Sequence, residues 1–102
     1  MDTKTTNSNT NSAAIANAGI YQNVNTTSTV TLDGSSSSDS DSDTLTYLWS
    51  MTSKPTGSNA SITNETTVNP IFVADIDGIY IVSLVVNDAT ASSIADTVTI
   101  VS

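Results

Sequence analysis

The chain contains no cysteine and no histidine. Without cysteine there is no disulfide framework, no thiolate metal site and no sulfur nucleophile. Without histidine the commonest general base and metal ligand is missing as well. Lys and Arg total two against ten Asp and Glu, for a net charge of −8. Binding to a phosphate backbone needs the basic residues this chain lacks, and an anionic membrane would repel it. Only four glycines occur, each alone, so no Gly-rich loop can cradle phosphate. No apolar run approaches membrane-spanning length, and residues 1–12 lack the apolar segment of a signal peptide.

Chemistry is further restricted by the carboxylates. Glu65 is the one glutamate, and three of the nine aspartates crowd a single short stretch. A carboxylate pair that hydrolyses glycosides needs a spacing of roughly 5–10 Å across a substrate cleft. Asp residues packed into one loop of a small domain do not provide that, so the chain is expected to be non-catalytic.

What remains is dominated by Ser and Thr, 35 of 102 residues, with ten Asn. A chain of this length forms one domain with a modest core. Thr, Val and Ile favour strands, and stretches of helical character are absent. A hydroxyl- and amide-rich surface with few basic residues fits an exported protein, and the chain is expected to be extracellular or at the cell surface. The chain reads as one unit of something longer. Residues 1–12 carry no apolar residue beyond Met1 and are expected to be a flexible linker or a segment foreign to the domain. The domain itself is expected over residues 13–102.

From Ala13 onward, short strands alternate with turn signals about every ten residues, an all-β pattern. Strands are expected at Ile15–Ala18, Ser28–Asp33, Leu45–Thr52, weakly at Ala60–Thr63, then Val68–Ala74, Ile79–Asp88 and Ile94–Val101. Val30 and Leu32 should face inward, with Phe72, and Pro70 suggests an edge. Parity along the strands puts Tyr47, Trp49, Tyr80, Val82, Leu84 and Val86 in the core. It puts Leu48, Ile81, Val85 and Val101 together on the opposite face, as an apolar stripe available to a neighbouring domain or a second copy. Asp77-Gly78 precedes Tyr80 at the start of the longest strand. A tyrosine placed there can turn its hydroxyl back to the upstream backbone, forming a tyrosine corner. The expected architecture is an immunoglobulin-like β-sandwich of two antiparallel sheets, about seven strands, in a Greek key.

The densest signal is Asp39-Ser-Asp-Ser-Asp-Thr-Leu-Thr-Tyr-Leu-Trp49. Asp39, Asp41 and Asp43 alternate through a Ser-rich loop and run straight into the tryptophan strand. Such a loop can aim several oxygens at one hard cation such as Ca²⁺. It can equally be a solvated loop whose Asp side chains cap turns through Asx hydrogen bonds.

Several ordered motifs together resemble polycystic-kidney-disease (PKD) domains: Asp33-Gly34 through Trp49, Lys54-Pro55-Thr56-Gly57-Ser58, Asn69-Pro70-Ile71-Phe72-Val73-Ala74-Asp75, and Gly78 through Asp88. The resemblance spans about residues 13–102. Its Lys-Pro-x-Gly-Ser element points to the subgroup found in tandem on bacterial surface proteins and in the KIAA0319-like ectodomain. The resemblance implies a non-catalytic spacer, adhesion or accessory module. Its partners would be neighbouring domains or another protein surface, with glycan as the alternative, and neither nucleic acid nor membrane insertion of this segment. Some family members bind Ca²⁺, and the matching positions here are Asp39, Asp41 and Asp88, with Asp43 in the longer version of the loop. The linker can contribute in that family, which makes Asn11 and Ser12 weaker candidates. Two positions depart from the pattern: Ser42 and Ala89 stand where the family commonly has Gly. A glycan-binding module would need an exposed aromatic platform, and only Tyr21 is left outside the expected core.

Overall fold

The computed structural model describes residues 14–39, 44–89 and 91–102. Six strands form among them: β1 Gln22–Asn23, β2 Thr29–Thr31, β3 Thr46–Ser53, β4 Ile71–Val73, β5 Ile79–Asn87 and β6 Asp96–Val101. They build two sheets, one in the order β1-β6-β5-β3 and one pairing β2 with β4. The chain passes from the first sheet to the second and back, as a Greek-key sandwich requires. All pairs are antiparallel except β1–β6, which is parallel. No helix occurs among the described residues.

Alternation places the core. Val30 and Phe72 from the small sheet, with Leu32 just after β2, meet Trp49, Tyr80, Val82, Leu84, Val86, Val98 and Ile100 from the large one, all buried. Fully burying an aliphatic or phenyl side chain stabilises by about 1.5–3 kcal/mol. Trp49 lies at the centre. Its indole Nε1–H donates to the Thr67 carbonyl (2.9 Å), so its one polar atom is satisfied inside the sandwich. Gly34 passes so close beneath the ring that a Cβ there would stand 2.9 Å from Trp49 Cζ2. The Phe72 and Tyr80 rings are 5.4 Å apart and tilted by 48°, within the range favoured by aromatic pairs.

Two expected strands shrink to single bridges. Ile15 pairs only with Ser38, because side chains capture the backbone that follows. The Ala18 N–H donates to Asp96 Oδ2 (2.7 Å), and Asn17 Oδ1 accepts from the Gly19 N–H (2.9 Å). Thr63 pairs only with Ile71, since Asn64 takes a φ of 63° and turns the chain away. The Gln22–Asn23 strand has too few residues to show alternation. The Leu45–Thr52 and Ile79–Asp88 expectations match β3 and β5 to within a residue.

Candidate functional site

Three surfaces merit description: the pole beyond the end of β5, the pole below its start, and the outward face of the large sheet. Asp39 and Asp88 belong to the first. The loop entering β3 and the turn leaving β5 are neighbours because Thr46 pairs with Asn87. Asp88 is buried (3% exposed), and its Oδ1 accepts the Ala91 N–H at 2.9 Å. Asn87 Oδ1 accepts the Ala89 N–H at 2.7 Å. These are Asx hydrogen bonds closing a turn. Ala89, flagged in the sequence as a replacement for Gly, has a φ of 79°. Asp39 is half-buried, next to Ser38, whose backbone bonds to Ile15 in both directions. Asp41, Asp43, Asn11 and Ser12, and the whole linker segment 1–12, lie outside the described residues. Among the described residues no group of three acidic side chains converges. The structure therefore sets Thr46, at the start of β3, beside Asn87, and Asp88 caps the turn that follows β5.

The opposite pole is a docked assembly of two motifs. The Tyr80 hydroxyl donates to the Ile76 carbonyl (2.6 Å), accepts from the Ile76 N–H (3.1 Å) and lies 3.1 Å from Asp75 Oδ1. This is the expected tyrosine corner. Asp75 also accepts from Ser58 Oγ (2.6 Å) and from the Asn59 N–H (2.7 Å). The Ser58 hydroxyl, chiefly, and then the Asn59 N–H hold the Asp75 carboxyl below its ordinary pKa. Pro55 packs on Gly78, where an added Cβ would approach the proline ring to 2.5 Å and φ is 141°. Lys54 Nζ donates to the Ala60 carbonyl (3.1 Å). The last residue joins the same pole. Ser102 and Gly78 exchange backbone hydrogen bonds, and Thr26 Oγ1 contacts both Asp77 Oδ1 and Ser102 Oγ. The Ser58–Asp75 link was not read from the sequence. Its signal was present in two separately noted motifs, but nothing in their spacing says that they touch.

On the outward face, Leu48 pairs with Val85, and Ile79 pairs with Val101. Leu48 and Ile79 are exposed, while Ile81, Val85 and Val101 are half-buried. Ser83 separates the two apolar groups and is flanked by Ser50 and Thr97. Of the five aromatic side chains, only Tyr21 is exposed; Tyr47 is half-buried against the core. No flat aromatic platform is therefore presented.

The fold and its locking contacts define an immunoglobulin-like β-sandwich module closed by a tyrosine corner. The family model "K319L-like, PKD domain" matches residues 18–101, and the chain belongs to that family. The solution structure of the PKD domain from the KIAA 1837 protein is similar at a TM-score of 0.70. It shares 26% identity, over 90% of this chain and 88% of that one. A second similar structure is a nucleoside hydrolase-related hypothetical protein from Saccharophagus degradans, associated with carbohydrate metabolism. It matches at a TM-score of 0.73 and 24% identity over 88% of this chain, a likeness of fold. The match covers 25% of that protein, so the chain spans about a quarter of its length. No curated protein matches the chain.

Proposed function

We propose that this PKD domain is a non-catalytic spacer and contact module of a larger exported or surface protein. The observation that carries this reading is the placement of its two ends. Ile15 is tied to Ser38 and lies with Ala14 beside the segment leading into β6, while Ser102 is tied to Gly78 at the start of β5. The nine residues of β5 run between those poles, a span of about 30 Å. Neighbours attached at the two ends would be held apart by the length of the sandwich. The test is small-angle scattering on two copies joined in series. An extended rod is expected, and a collapsed distance distribution would sink the spacer reading.

Calcium stiffening is a separable part of the same proposal. An ion held by Asp39, Asp41, Asp43 and Asp88 would tie the loop before β3 to the turn after β5. The adjacency of Thr46 and Asn87 supports this placement. Thermal unfolding in Ca²⁺, in Mg²⁺ and in chelator checks it. Saturation at one hundred times the dissociation constant stabilises by about 2.7 kcal/mol, several degrees for a domain of this size. The shift should vanish in Asp41→Asn and Asp88→Asn. An unchanged midpoint would sink the calcium reading and leave Asp88 as the cap of its own turn.

A further inference from the structure

Resting on the contact-module reading, we propose that the outward face of the four-stranded sheet is a self-association surface that takes the same face of a second copy. Charge distribution is the first ground. The chain carries ten carboxylates and two basic residues, yet β3, β5 and β6 together contain a single charged residue, Asp96. Asp96 lies on the inward register with Val98 and Ile100 and accepts a hydrogen bond from the Ala18 N–H. The outward positions of the three strands are Ser, Thr, Asn and aliphatic side chains throughout. Other carboxylates sit off the face: Glu65 beside the β3 edge, Asp77 before β5, and Asp88 after it. A second copy bears the same net charge of −8, so it is repelled by every surface except a neutral one. A basic partner would be drawn to the carboxylates elsewhere.

The residue pattern on the face supplies the second ground. Ser83 is 7% exposed and sits in one cross-strand row with Ser50 and Thr97. Leu48 and Val85 lie on one side of this low row, Ile79, Ile81 and Val101 on the other. A two-fold axis running along the row would turn one face onto its copy and set Val85 against Ile81 of the second copy, reciprocally. That is the self-complementarity an isologous contact needs. The face offers on the order of 500 Å² per copy, from strand spacing and rise. The total sits at the lower limit of specific interfaces, so the contact is weak and concentration-dependent.

Sedimentation equilibrium from micromolar to millimolar protein tests the proposal. The wild type should dimerise, and more tightly in high salt, where screening removes the repulsion between acidic bodies. Ile81→Thr combined with Val85→Thr keeps the β-branched shape and should weaken association about tenfold or more. Circular dichroism establishes that the variant is folded. Because the chain has no native cysteine, Ser50→Cys gives a single thiol near the proposed axis. A short bis-maleimide should link it to itself, while Thr66→Cys, outside the strands of this face, should associate like the wild type but not cross-link. A wild type that is monomeric at millimolar concentration in high salt would overturn the proposal. So would equal association of the double variant, or a Ser50→Cys protein that does not cross-link. Each of these outcomes leaves the spacer reading standing, since that reading depends on the extension of a tandem.

Discussion

Ala89 occupies a backbone conformation with a φ of 79°, in the left-handed region that costs a non-glycine residue about 1–2 kcal/mol. Hydrogen bonds from its own N–H to Asn87 Oδ1 and from the Ala91 N–H to Asp88 Oδ1 hold the turn in place despite that strain. Ala89→Gly relieves the strain but adds freedom to the unfolded chain, so a net gain of about 0.5–1 kcal/mol is expected. Denaturant unfolding followed by Trp49 fluorescence measures it, and a loss of stability would contradict this account. The residue was conspicuous in the sequence because it stands where glycine is common. Trp49 and Tyr80 were equally legible, since a large side chain at an inward parity position has nowhere else to go. Asp88 was legible as a residue of interest, whereas its bond to Ala91 depends on a turn that only the fold supplies.

At the scale of elements, the segment Lys54–Ser58 is a strap laid across the turn that precedes β5. It is fastened by Ser58 and Asn59 to Asp75 and by Pro55 against Gly78. The Asp75 carboxyl titrates below its ordinary value of 3.8 in the folded protein, with the Ser58 hydroxyl as the main cause. A lowered folded pKa makes this contribution complete above the unfolded value and drains it as pH falls through the folded one. Stability should therefore fall below about pH 4, and Asp75→Asn should flatten that acid limb while lowering stability at neutral pH. Asp33, lowered chiefly by the Ser35 hydroxyl, adds a drain of the same sign. An acid titration of the two proteins that superimposes would exclude the strap as a pH-dependent fastening. Long strands with clear alternation, β3 and β5, could be read directly from the sequence. The segments at Ile15–Ala18 and Ala60–Thr63 could not. Their backbones are claimed by side chains and turns, through Asp96 at Ala18 and the left-handed Asn64, and period-two patterning carries no record of that competition.

For the whole molecule, the decisive fact is how the first and last strands meet. Residues 14–24 run toward the same pole as β6, β1 pairs with β6 in parallel, and the Val24 N–H donates to the Val101 carbonyl at 2.9 Å. A domain held by neighbours at its two ends would feel tension in opposed directions along these two strands. The load would then act as shear, distributed over the hydrogen bonds of the pair together, where a hairpin pulled open would surrender them one at a time. Single-molecule pulling at Ala14 and Ser102 measures this. Val24→Pro, which deletes the N–H bonded to Val101, should lower the unfolding force more than it lowers equilibrium stability, because forced rupture follows the unfolding barrier. On this geometry the two residues of β1, the shortest strand of the sandwich, act as its mechanical latch.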